Sequence, residues 1–351
     1  MSWVEKLARP DIVAMKPYEH ALWDPALERL HANELPWRSM ADASVAGLNR
    51  YPEPQPRALV ERLAALYGVA PESVLVARGS DEAIDLLARS FCTAGRDSVI
   101  VCPPTFGIYA LAARIQGAQI LAVPLRADRN FALDEPTVLE RCVPGVKLLF
   151  LCSPNNPTGN LLEAQAVLRV ARALEGKAVV VVDEAYIEFS AARSLASLIG
   201  ERPNLAILRT LSKAYALAGA RCGAVIADSA VITLLRKVIP PYALPQLSVE
   251  AVLKILEPGQ LSVSKVHLQM IATERNRLES SLRALPSVTR VWESAANFLL
   301  VEFKDPSDAL ARVRSAGLLI RDVRGYPGLG QCLRITIGTV EQNQRVLQAL
   351  R

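Results

Sequence analysis

Lys213 stands in Thr210-Leu211-Ser212-Lys213-Ala214-Tyr215, flanked by small and apolar residues directly after an apolar run. Desolvation lowers a lysine's pKa, and an uncharged amine attacks carbonyl carbon. Asp183 ends a run of four valines in Val182-Asp183-Glu184-Ala185-Tyr186, so its carboxylate emerges from a buried segment. A lone Asp at such a place reads as a helix N-cap; ionised in a low-dielectric pocket it requires a cationic partner, and a protonated heterocyclic nitrogen fits. Arg78-Gly79-Ser80-Asp81-Glu82 precedes a helical pattern beginning near Ala83. A glycine there permits a tight turn, and the free N–H groups of a helix start form an anion site. The Asp81 carboxylate would then have to point away from the anion, and a capped helix with no ligand accounts for the same residues. Ser153-Pro154-Asn155-Asn156-Pro157-Thr158-Gly159 is either an ordinary turn or a loop presenting the Asn156 amide to a ring oxygen.

These four loops each follow a candidate strand. Short apolar runs at 74–77, 98–102, 119–125, 146–152, 177–183, 205–210 and 221–227 are apolar on both faces, as in strands covered above and below. Amphipathic stretches lie between some of them, one placing Ala83, Leu87 and Phe91 on one face and another Ala164, Leu168, Ala171 and Leu174. The alternation predicts an α/β domain, a three-layer sandwich with a mostly parallel sheet, and ligands of such sheets bind at the carboxyl ends of the strands. Beyond a Pro-rich passage at 239–246 come long helical stretches to about Leu285. Runs at 289–292, 297–303, 318–323 and 333–338 and a final helix at 340–350 follow, which reads as a smaller α+β domain. The boundaries fall at 1–40 for an extended N-terminal arm (Pro10, Pro17, Pro25 and Pro36, with Trp23 and Trp37), 41–236 for the large domain and 237–351 for the small one. A nucleophilic amine, an acid for a ring nitrogen, an anion cup and a ring-oxygen donor are together the parts of a pyridoxal 5'-phosphate (PLP) site.

Composition removes the competing classes. Among 351 residues, 51% are hydrophobic and 21% charged, enough apolar material for large cores. Forty Lys and Arg against 35 Asp and Glu give a net +5 without basic blocks, too mild to argue for nucleic acid. The longest strictly apolar run, 108–113, is far short of the roughly 20 residues of a membrane span. The opening residues lack a signal-peptide pattern. A cytoplasmic protein with neither membrane nor nucleic-acid partners is expected. Cys92, Cys102, Cys142, Cys152, Cys222 and Cys332 form no CxxC pair and are expected as free thiols. His20, His31 and His267 show no ligand spacing, so no metal is expected. GYPGLG at 325–330 has the wrong glycine order for a dinucleotide loop and reads as a turn, and Pro157 excludes glycosylation of Asn156.

The order SPNNPTGN (153–160), DEAY (183–186), TLSKAYALAGARCG (210–223) resembles the fold-type I PLP aminotransferases. NRYPEPQP (49–56), RGSDE (78–82), CPPTFGIY (102–109) and the segment 317–339 resemble, within them, the histidinol-phosphate aminotransferases. The resemblance implies that Lys213 binds PLP as a Schiff base and shuttles the proton, that Asp183 keeps the pyridine nitrogen protonated, and that Tyr186 and Asn156 hydrogen-bond the ring oxygen. It implies that Phe106 stacks on the ring, where relatives often carry tyrosine, and that Ser80, Asp81, Ser212 and Arg221 hold the phosphate. Tyr51 would reach the cofactor phosphate of a neighbouring subunit, making a homodimer with shared sites. Arg334 would grip the substrate's anionic group and Arg321 its phosphate, with Tyr18 and Asn33 closing over it from the arm. Leu35-Pro36-Trp37 departs from the usual pattern of the arm.

The activity so implied is transamination between histidinol phosphate with 2-oxoglutarate and imidazole acetol phosphate with glutamate, in histidine biosynthesis. An aromatic amino-acid aminotransferase or a threonine-phosphate decarboxylase would keep the fold and change the substrate. A PLP-sensing regulator would need a DNA-binding domain for which a 40-residue arm is too short.

Overall fold

The computed structural model describes residues 2–20, 23–24 and 27–351; Pro25 of the arm lies outside them. The described chain opens with two short helices, α1 (Trp3–Leu7) and α2 (Pro10–Ala14). At α1 the Ser2 hydroxyl accepts from the Glu5 N–H while the Glu5 carboxylate accepts from the Ser2 N–H, a capping box. Val4, Leu7 and Ile12 pack into the core beneath one face of the large sheet. The beginning of the expected extended arm is therefore helical and anchored. The described residues from 15 to 56 carry no helix or strand.

After α3 (Arg57–Tyr67) come β1 (Val74–Ala77), α4 (Gly79–Phe91), β2 (Ser98–Val101), α5 (Ile108–Ile115), β3 (Gln119–Ala122), α6 (Glu135–Arg141), β4 (Val146–Cys152), α7 (Ala164–Ala173), β5 (Val179–Asp183), β6 (Leu205–Thr210), β7 (Gly223–Ala227) and α8 (Ser229–Leu235). The seven strands form one sheet in the order β1-β7-β6-β5-β4-β2-β3. Four of its pairings are parallel, and β7 alone runs against its two neighbours. Successive side chains of a strand face opposite sides. Val180 and Val182 of β5 accordingly enter one core and Val179 and Val181 the other. Each valine buried this way contributes about 1.5–3 kcal/mol. The edge strand β3 is the exception to two-sided burial, half-exposed along its length.

The second sheet follows α9 (Gln246–Ile255) and α10 (Pro258–Arg283). It comprises β8 (Val288–Val291), β9 (Phe298–Phe303), β10 (Arg321–Asp322) and β11 (Cys332–Thr336) in the order β10-β11-β9-β8, all antiparallel. Leu299 and Val301 of β9 pack with α11 (Pro306–Ser315) and α12 (Val340–Leu350), while Phe298 and Leu300 face the core of the large sheet. The small sheet thus presents one face to the carboxyl ends of the large one.

Three expectations change. The buried stripe of α7 runs through Ala166, Val167, Val170 and Ala171; Ala164 is exposed and Leu168 half-buried, because the helix lies rotated toward its valines. The run 318–323 yields only the two residues of β10, since Leu319 is 89% exposed and has no strand to cover it. Helix α11 was not anticipated, although Asp305 capping Ser307 and Asp308, with Pro306 at the first helical position, is a start signal.

Candidate active site

A cavity of about 320 Å³ opens at the carboxyl ends of β4, β5 and β6, beneath the face of the small sheet. Lys213 lines it from the loop between β6 and β7, its Nζ 5.8 Å from the centre of the Tyr186 ring. The lysine is exposed into the cleft, not buried as the sequence suggested. Partial desolvation by the walls, and then the Arg334 and Arg221 guanidiniums, still lower its pKa, which favours the nucleophilic amine.

Asp183 forms the floor, 2% exposed. Its Oδ1 accepts from the Ala185 N–H at 3.0 Å and its Oδ2 from the Tyr109 hydroxyl at 2.8 Å. Burial pushes the carboxyl up to about 6, opposed by these two hydrogen bonds. Such a floor suits a cation placed in the cavity above it.

The anion end is built by a backbone junction. Residues 79–82 are already the first turn of α4, four residues before the expected start, so the N–H groups at Ser80 and Asp81 belong to a helix N-terminus. Gly79 has φ +80°, and a Cβ on it would lie 3.0 Å from Arg221 Nη2. A Cβ on Gly223 would lie 2.7 Å from the Arg209 carbonyl oxygen and 2.9 Å from the Gly79 carbonyl carbon. Because Thr210 and Gly223 are cross-strand partners, the loop between them leaves and returns at one place, bringing Ser212, Lys213 and Arg221 to the same cavity. The Asp81 carboxylate does not turn aside as anticipated: its Oδ2 accepts from Arg221 Nη2 at 3.1 Å, the guanidinium being the cation within reach. Arg221 also donates to the Ala218 carbonyl at 3.2 Å.

Asn156 is presented by a loop locked through its neighbour. Asn155, fully buried, accepts from the Thr105 hydroxyl at 2.9 Å and donates to the Pro104 carbonyl at 2.8 Å, tying the loop to the segment that carries Phe106. The Asn156 Oδ1 accepts from Arg334 Nη1, so its NH₂ group is the part left to donate elsewhere.

Arg334 lies on β11 directly opposite Arg321 on β10, and both reach the cavity. Like charges directly opposite one another destabilise a strand pair. Among the described residues no carboxylate pairs with either, and the Arg334 Nε is buried without a partner. Desolvation and, less strongly, Arg321 lower the pKa of Arg334. The Arg334 guanidinium also sits 5.0 Å over the Phe298 ring.

Eleven of the anticipated residues therefore line one cavity: Ser80, Asp81, Phe106, Asn156, Asp183, Tyr186, Ser212, Lys213, Arg221, Arg321 and Arg334. Three do not. Tyr18 borders a separate cavity of about 960 Å³, between the arm, α3 and α8. Asn33 is exposed in a left-handed turn at φ +58°. Tyr51 is 51% exposed and stacked on Tyr242 at 4.7 Å, outside this chain's own cavity. Tyr109 and Tyr326 went unrecognised. A buried tyrosine hydroxyl requires a partner, and Tyr109 carries the sole polar side-chain group of the apolar run 108–113. Tyr326 comes from the GYPGLG turn, which is a turn as expected and also a supplier of cavity wall.

Residues 32–350 match the family described as aminotransferase class I and II. The chain belongs to the class I and II aminotransferases. Its relatives include the histidinol-phosphate aminotransferase of Stenotrophomonas maltophilia, 46% identical with 98% of this chain and 95% of that one covered. Another is histidinol-phosphate aminotransferase 1 of Pasteurella multocida, 43% identical with 99% of each covered. The crystal structure of the histidinol-phosphate aminotransferase from Clostridium acetobutylicum shares the fold, with a TM-score of 0.78 at 22% identity over 86% of this chain and 90% of that one. In this aminotransferase all six cysteines are free and five of them are buried. No described helix is long and apolar enough to cross a membrane.

Proposed function

We propose that this aminotransferase is PLP-dependent and interconverts histidinol phosphate plus 2-oxoglutarate with imidazole acetol phosphate plus glutamate, serving L-histidine biosynthesis. The observation that carries the reading is the cross-strand pair Arg321 and Arg334, without carboxylate partners, facing Lys213 across one cavity. One substrate of the pair brings carboxylates and the other a phosphate monoester, and guanidinium groups take either by two-point hydrogen bonding. Relatives more than 40% identical over nearly the whole chain carry the histidinol-phosphate name, which disfavours the aromatic aminotransferase and the decarboxylase.

The residues fit the cofactor. The α4 N-terminus, cradled where a Gly79 side chain would stand, with Ser212 and Arg221, would hold the phosphate. Asp183 would face the pyridine nitrogen, Asn156 and Tyr186 the ring oxygen, and Phe106 the ring plane. Bound PLP supplies an aldehyde that condenses with amines and a protonated ring that accepts the electron pair of a deprotonated carbon. With the cofactor bound, the Lys213 amine would be the group placed to take and return the proton at the substrate Cα. The Asp183 carboxylate would keep a ring nitrogen protonated, and Arg334 would orient the substrate anion while its bond to Asn156 joins the two grips.

We further assign the working unit as a homodimer in which Tyr51 completes the neighbour's phosphate site. Leu35, Trp37 and Val45 of the surrounding segment are 70–83% exposed, which supports an apolar contact there. The free thiols support a reducing, cytoplasmic compartment. With the division at residues 40 and 236, the partner contact would draw on both the arm (Leu35, Trp37) and the start of the large unit (Val45, Tyr51), the large unit would hold the cofactor and the small unit would supply Arg321 and Arg334. Amino-donor screening of the purified protein with PLP tests the substrate: rapid transfer from histidinol phosphate, slow transfer from phenylalanine and no CO₂ from threonine phosphate are expected. Preferred transfer from phenylalanine, or CO₂ release, would overturn the assignment.

A further inference from the structure

We infer that Tyr109 is a positioning residue of the reaction, fixing the Asp183 carboxylate from behind and seating Phe106 at the same time. This rests on the PLP reading of the cavity. Tyr109 is fully buried on the first turn of α5, its ring stacked on Phe150 at 5.0 Å and 3° and set edge-on to Phe106 at 5.7 Å and 85°. Its hydroxyl donates to Asp183 Oδ2 at 2.8 Å while Ala185 N–H occupies Oδ1, so both oxygens are pinned and the carboxylate cannot rotate. Each oxygen keeps a lone pair for a ligand. One side chain therefore links the floor that meets a ring nitrogen to the wall that meets a ring face.

The hydroxyl also biases the charge of the floor. Around Asp183 stand Tyr109 from α5, Cys152 from β4, Asp81 from α4, Lys213 from the β6–β7 loop and Tyr186 from its own loop. Burial and Asp81 favour the neutral acid, whereas Tyr109, Ala185 and Lys213 favour the carboxylate. A hydrogen bond to the ionised form holds the pKa down, so deleting it raises the pH at which the floor becomes anionic.

Tyr109→Phe keeps the stacked ring and removes only the oxygen. PLP affinity is measured by equilibrium dialysis across pH 5–8 on wild-type and variant apoprotein, with thermal unfolding of both apoproteins alongside. Expected are a roughly tenfold weaker PLP affinity at pH 7, an acidic limb of the binding curve moved upward by about half a pH unit or more, and little change in apoprotein Tm. Combining it with Asp183→Asn should add no further upward movement of the limb, because the group it acts through is gone. An unmoved acidic limb overturns the inference, whether Tm is kept or lowered, since the hydroxyl would then serve packing alone. A wild-type chain that binds no PLP overturns the cofactor reading as well, which separates the two failures.

Discussion

The floor of the cavity and the segment around Glu34 are built in opposite ways. At the floor, Asp183, Asn155, Thr158 and Tyr109 are almost fully buried, and their hydrogen bonds close within one chain. In the arm, Glu34 is also buried, paired with Arg29 and Arg50 and accepting from the Tyr51 N–H. The side chains around it are not: Leu35, Trp37 and Leu48 rim an open groove of about 680 Å³, and Tyr51 is half-exposed. Glu34 thus ties down its own stretch of backbone while the apolar groups of Leu35, Trp37 and Leu48 face outward. Groups that must hold a proton at a set place are locked by their own chain. On the proposed homodimer, the groups that would act on a neighbour are left free at their tips.

This contrast can be broken at several points. The largest effect belongs to the cavity centre: Lys213→Ala should cut turnover by about 10⁴-fold or more, while PLP still binds without a borohydride-reducible link. Steady-state rates near wild type would refute the role of Lys213. Next, Arg334→Lys should lower kcat/KM about 100-fold for glutamate and histidinol phosphate alike, since planar two-point recognition is lost; a loss confined to one substrate would divide the arginines differently.

Asp183→Asn sharpens the floor side. The folded-state pKa of Asp183 is raised from 3.8 to about 6, so the folded apoprotein binds the extra proton. Its contribution to stability is therefore present below about pH 4 and is lost as pH rises toward 6, a change of about 3 kcal/mol at most. Apoprotein unfolding followed from pH 4 to 7 should lose that part of its slope in the asparagine variant. The smallest effect lies just past the arm: Tyr51→Phe should weaken PLP binding about tenfold by removing one phosphate hydrogen bond. Mixed dimers of Lys213→Ala with Tyr51→Phe chains should regain a wild-type site, and failure to do so would place Tyr51 within its own chain's site.

The two regions also differed in how far the sequence exposed them. The seven strands of the large sheet were legible because each is a short apolar run ended by Gly, Pro or a polar residue, and the cavity-lining loops followed from their ends. The exact rotation of α7 was not, because alanine and leucine at helical spacing satisfy two adjacent faces and tertiary packing chose the valine side. Tyr109 was hidden for a related reason: in an apolar helix a tyrosine reads as core, and only the fold shows that its oxygen ends on Asp183. Tyr18 and Asn33 fell outside the cavity because nothing local in an irregular segment specifies where its tips will point.

Position 223 carries a single hydrogen where other amino acids carry carbon, and three backbones converge on that spot. The lysine-bearing hairpin and the nose of α4 are consequently packed backbone against backbone. A methyl group inserted there would act as a wedge, prying apart the two halves of the grip on a phosphate without touching either the amine or the guanidinium. Cofactor retention would then fail before the chemistry did, leaving a correctly folded chain that performs its turnovers only when the vitamin derivative is supplied in excess.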